Sequence, residues 1–250
     1  MKSNIERIQE LKNNGYTLSF ETVFNLAFEN YKKIAVYAGL LLLVLCVVFG
    51  IAASIILAFS VGIENFQELT KPENLDTKKF SDEFLAYYLV GSTLFSCLIS
   101  PLLAGFIKMA HCAQIDEEFH VSNVFEYYRF SYFKELFLAN LIVTIISLGI
   151  SSVLNLTGFV MLGFFGSLTI SLLSILSVPL IIFSDFKAFE AVNTSFSLVS
   201  KQPLVLLGLF LVSYLFSIVG FFFFIFGILF TLPLLFSMYY AIYSSIIGFK

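Results

Sequence analysis

The densest group of reactive side chains in this chain is Lys108, His111, Cys112, Asp116, Glu117, Glu118 and His120. Imidazole, thiolate and carboxylate are the common ligands of zinc and of other divalent metals. Positioned at a membrane face, the same groups would serve as the acids and bases of an embedded enzyme. Their spacing supports neither use. Lys108, His111, Cys112 and Ile115 share one helical face, His120 falls past the helix end, and no established ligand spacing is met. A solvated, charged loop accounts for the same residues. The three cysteines, Cys46, Cys97 and Cys112, are odd in number and offer no disulfide framework. No Walker loop, HExxH helix or serine-nucleophile elbow occurs. No catalytic residue, metal or cofactor is assigned on these grounds.

Two further patterns carry polar atoms into apolar surroundings. Asn140, Thr144, Ser147, Ser151 and Asn155 recur at steps of three or four residues, so they form one stripe along a helix. Gly163, Ser167, Ser171 and Ser174, and Ser92, Ser96, Ser100 and Ala104, do the same. Small residues at this spacing let helices approach closely and bond across the contact. The alternative is a polar conduit, for which Asn140 and Asn155 are the members that packing explains least. The second pattern is a phrase repeated three times: Ser100-Pro101-Leu102-Leu103, Ser177-Val178-Pro179-Leu180-Ile181 and Thr231-Leu232-Pro233-Leu234-Leu235. A proline inside a helix removes one backbone hydrogen bond and kinks it. Pro101, Pro179 and Pro233 are read either as hinges or as three kinks that pack together. No charge accompanies them, which favours packing.

The elements that must hold these residues are long and apolar. The sequence is 59% hydrophobic and 12% charged, with mean hydropathy +0.94; soluble domains carry roughly 25% charged residues. Uncharged runs longer than about 18 residues read as membrane spans. The pattern predicts spans near 34–63, 84–107, 136–156, 160–184, 203–221 and 225–247, preceded by an N-terminal segment 1–33. The first run starts after a mixed-charge leader and exceeds the roughly 7–15 residues of a signal-peptide core, so it is expected to be a permanent span.

Amphipathic stripes precede the odd spans. They are Phe20, Val23, Phe24, Ala27, Phe28 and Tyr31; then Val121, Val124, Phe125, Tyr128 and Tyr132; then Phe186, Phe189, Val192, Phe196 and Val199. Each ends in a basic residue. The expected fold is therefore all-α and polytopic: three parallel helical hairpins, each preceded by an amphipathic helix lying at the membrane interface and packed on the protein. Asp185 is expected to cap the last of these helices. Gly15 is expected to end a short first helix over 4–14. An acidic loop near 64–83 separates the first two spans.

Lys and Arg orient the bundle. With the N-terminus inside, eleven of the fourteen basic residues fall on the cytoplasmic side, and only Lys71, Lys78 and Lys79 lie opposite. Both termini are then cytoplasmic. The net charge of −3 gives no support to nucleic-acid binding.

The stretch Asp185 to Val199, followed by a glycine-bearing hairpin with Pro233 and by Tyr239-Tyr240-Ala241-Ile242-Tyr243, resembles bacterial six-helix inner-membrane proteins. These are the YciC-like proteins and the membrane domain attached to some glycerophosphodiester phosphodiesterases. The resemblance implies an integral inner-membrane protein of unsettled role and, with no soluble phosphodiesterase domain here, carries over no catalytic residue. Three functions are expected, in this order. One is a non-enzymatic protein that organises membrane lipids, another membrane protein or a homo-oligomer. Another is a small-solute transporter or channel using the stripe on the third span. The last is a membrane-embedded enzyme.

Overall fold

The computed structural model describes residues 2–61, 81–222 and 224–248. Among them the chain is helical and contains no strand. The elements are α1 (Lys2–Asn14), α2 (Phe20–Val61), α3 (Asp82–Gln114), a 3-10 segment (Val121–Tyr128), α4 (Phe130–Leu156), α5 (Val160–Leu173), α6 (Ser177–Ser184), α7 (Ala188–Val199), α8 (Pro203–Phe222), α9 (Phe224–Thr231) and α10 (Pro233–Ile247). Six stretches are long and apolar enough to cross a membrane: Phe20–Ile56, Glu83–Gln114, Phe130–Leu156, Val160–Ser184, Pro203–Phe222 and Gly227–Ile247. This is the architecture of an all-α polytopic membrane protein. The acidic loop expected near 64–83 lies, as far as residue 80, outside the described residues.

The amphipathic segments differ from their expected common form. The first has no boundary near residue 33: it continues into the first span as the single 42-residue helix α2. Lys32 and Lys33 interrupt the apolar run, but neither residue breaks a helix. The second is the 3-10 segment laid against α3. Gly105 makes that contact close, because a Cβ there would overlap the Val124 backbone. The third is the separate helix α7. It packs on the protein, against α4, α6 and α1, with Ala191, Thr194, Ser195 and Leu198 buried.

Capping differs as well. Lys187 precedes α7 with no side-chain cap, and Asp185 ends α6 in the left-handed conformation (φ 54°). The cap comes from α4, where Glu135 Oε2 accepts the Ala188 N–H at 2.8 Å. Asp185 instead accepts a hydrogen bond from the Tyr132 hydroxyl. Gly15 does end α1, at φ 76°, and donates its N–H to Leu11 O at 2.9 Å.

Burial divides the spans by parity. In the most apolar window of the second, fourth and sixth spans, 44, 50 and 67% of residues are buried, against 6, 11 and 33% in the first, third and fifth. The even spans therefore make the core, with α10 touching α2, α3, α6 and α8. Pro101, Pro179 and Pro233 are all buried there. Pro101 lies inside the continuous helix α3. The carbonyl it leaves free, four residues back at Cys97, accepts the Ser100 hydroxyl at 2.8 Å. Pro179 instead follows a real interruption at residues 174–176, whereas before Pro233 the backbone stays helical through Leu232 (φ −52°, ψ −36°), which donates its N–H to Ile228 O at 2.9 Å. The interruption is closed by Ser195 of α7, whose hydroxyl accepts the Leu176 N–H at 3.1 Å and donates to Leu173 O at 2.6 Å. Near Pro233, Thr231 donates towards Ser217 O on α8 at 3.0 Å. In lipid an unmet backbone group costs several kcal/mol, so the Ser195 hydroxyl holds the break before Pro179 together.

Candidate functional site

Past the prolines, α3, α6 and α10 converge, and each brings polar side chains into the core. His111 of α3 sets Nδ1 2.9 Å from the Tyr240 hydroxyl of α10. One turn further along α10, the Tyr243 hydroxyl is 2.8 Å from Ser184 Oγ of α6. Phe183 lies between the two pairs, its ring centroid 5.2 Å from His111, 5.5 Å from Tyr240 and 5.2 Å from Tyr243. The ammonium of Lys108 stands 6.0 Å above the same ring, within cation–π range. His111, Tyr240 and Tyr243 are at most 3% exposed. Imidazole beside phenol is an acid–base pair in composition. Here it is sealed, each hydroxyl is engaged, and the arrangement locks three helices together.

The histidine–cysteine–carboxylate group of the sequence is thereby taken apart. His111 and Cys112 are buried, whereas Asp116, Glu117, Glu118 and His120 are exposed in the loop after α3. Asp116 is ion-paired with Lys33 of α2, whose ammonium also donates to Ala113 O at 2.8 Å. Among the described residues no three of His, Cys, Asp and Glu converge as metal ligands would.

The stripe on α4 is shared between two neighbours. Asn140 donates to Ser96 Oγ of α3 at 2.9 Å. Ser151 and Asn155 face α5, where Gly163 keeps the helices close: a Cβ at Gly163 would stand 2.8 Å from Asn155 Oδ1. Thr144 and Ser147 are half-buried between these contacts.

Two clefts open at the edge of the bundle. One, of about 470 Å³, lies between α2 and the end of α3; Lys33, Tyr37, Met109 and the Asp116–His120 loop line it. The other, of about 420 Å³, is an apolar groove among Phe49, Phe95, Phe125 and Tyr128. Neither is lined by a residue of the α4 stripe.

Around the chain ends, polar contacts fasten α1 and its linker to the bundle. Lys12 donates to Thr194, and the Tyr16 hydroxyl donates to Leu198 O at 2.9 Å. Burial pushes the Tyr16 phenol far above its ordinary value, so it stays a neutral donor. Gln202 bonds the backbone of both Tyr16 and Leu18.

Sequence reasoning reached His111 but missed Ser184, Tyr240 and Tyr243. The available signal was the three-residue step between Tyr240 and Tyr243, which puts two phenols on one face of an apolar helix. No protein-family model, curated protein or solved structure matches this chain.

Proposed function

We propose that this is a non-enzymatic integral protein of the bacterial inner membrane, with both termini cytoplasmic, that organises lipid or a partner protein. The resemblance to YciC-like proteins and the excess of basic residues on the side of the termini support that membrane and that orientation. One observation carries the functional reading: His111, Tyr240, Ser184 and Tyr243 are turned inward and bonded to one another, while the first and third spans turn most of their apolar length outward. Tyr37, Ile56, Phe59, Ile145 and Leu215 are 59–87% exposed. Surface of that kind meets acyl chains or other apolar helices. Gentle detergent extraction followed by mass spectrometry of what stays bound tests the proposal. A stoichiometric lipid or membrane protein is the expected result; the bare chain, or a small polar solute, sinks it.

A second function, a small-solute transporter, draws support from the interrupted fourth span. Discontinuous helices build the binding sites of many carriers by leaving backbone groups free. Ser195 already occupies the freed groups of the fourth span, which weighs towards structure. Uptake into proteoliposomes by the Asn140→Leu, Asn155→Leu variant tests it. Flux equal to that of the parent protein removes the stripe as a conduit.

A further inference from the structure

We propose that the cleft between α2 and the end of α3 binds the headgroup of a phospholipid bearing an ammonium group. This rests on the lipid-holding form of the function proposed above. The position of the cleft comes first. Lys33 is the last charge before the apolar run of α2, and Lys108 followed by Asp116 to Glu118 are the first charges after that of α3. The cleft therefore straddles the edge of the apolar layer, with Ile34, Met109 and Ala113 on one side and the charged loop on the other. A ligand that fills it has an apolar body and a polar head.

Charge selects the head. The Lys33 ammonium and the Asp116 carboxylate neutralise each other. Glu117 and Glu118 form no ion pair among the described residues, which leaves the cleft with a surplus of two negative charges. Tyr37 and Phe119 add aromatic faces, which also attract cations. Lys33 has three N–H donors and spends two, on Ala113 O and Asp116. The third suits a phosphate oxygen. An ammonium towards the glutamates, a phosphate beside Lys33 and a glyceryl body against Ile34 and Met109 describe an ethanolamine-type phospholipid. A purely anionic lipid would meet Glu117 and Glu118 with like charge.

The test uses the full chain in nanodiscs of phosphatidylethanolamine and phosphatidylglycerol in equal amounts, followed by gentle extraction and quantification of each lipid retained per protein. The parent protein is expected to retain the ethanolamine lipid in excess. Glu117→Gln, Glu118→Gln should cut that excess about fivefold, as befits the loss of two partly exposed ion pairs. Both residues are exposed, so the thermal midpoint should not change. Glu117→Lys, Glu118→Lys should reverse the preference towards phosphatidylglycerol. Retention of lipid without class preference, or an excess that survives both double variants, overturns this assignment and leaves the scaffold proposal standing. Binding of soluble phosphoethanolamine with no enrichment of the lipid overturns it as well. Retention of neither lipid nor partner removes the scaffold proposal itself.

Discussion

Ser195 bridges the interruption before Pro179 from a different helix, satisfying one backbone donor and one acceptor at once. Ser195→Ala orphans both groups in a buried place and should cost about 1–3 kcal/mol. A lowered thermal midpoint of the purified protein in detergent is the expected sign, and an unchanged one would mean that the backbone re-closes without help. Glycine makes a matched pair of tests, because two glycines in spans meet opposite surroundings. Gly105 has the Val124 backbone where a Cβ would go, whereas Gly50 faces open space. Gly105→Ala should destabilise by about 1–3 kcal/mol through overpacking. Gly50→Ala should be neutral or should stabilise by about 0.5–1 kcal/mol, since alanine is the better helix former. Equal effects in the same thermal assay would contradict the close approach of the 3-10 segment to α3.

Helix α7 depends on α4 for its start. Glu135 supplies the N-terminal acceptor that the residues preceding α7 do not. Glu135→Ala should cost about 1 kcal/mol, in the range of other lost N-caps. Faster hydrogen exchange confined to Ala188 and the next turn is the measurement; uniform exchange across the bundle would contradict a local cap. The same element marks how far the chain was legible. Apolar length located six spans because bilayer thickness sets a length that composition alone meets. Gly15 was legible because a left-handed residue after a helix favours glycine, and it adopts φ 76°. Asp185 looked like the cap of α7 because it precedes that helix, yet the residue that caps it, Glu135, lies 53 residues before Ala188 in sequence. Tertiary partners of that kind leave no local period. The 3-10 form of residues 121–128 was hidden for a related reason, since a repeat of three over eight residues cannot be told from a repeat of 3.6. His111 and Tyr240, 129 residues apart, could be seen one by one but not as a pair.

In the whole molecule, burial is sorted by parity of span. Lipid supplies no hydrophobic drive between helices, so polar pairs and close packing must choose the partners. The even spans hold both: His111 with Tyr240, Ser184 with Tyr243, and the stack of Phe106 on Phe236 at 4.9 Å between centroids. The first and third spans are left mostly to face outward, and the α4 stripe is divided between α3, which Asn140 bonds, and α5, which Ser151 and Asn155 approach, rather than gathered around one cleft. That arrangement supports the scaffold proposed above. Access of water to that stripe separates a scaffold from a conduit. Single cysteines at Ser147 and Ser151, written Ser147→Cys and Ser151→Cys, would be placed in a background lacking Cys46, Cys97 and Cys112. Each would be treated in sealed vesicles with a membrane-impermeant maleimide, with the exposed residue Glu190→Cys as a positive control. The scaffold predicts labelling of the control and none at the two stripe positions from either side of the membrane. Labelling at Ser147→Cys and Ser151→Cys, at rates near that of the control, would mean that water runs along α4 and would contradict a closed, non-transporting bundle.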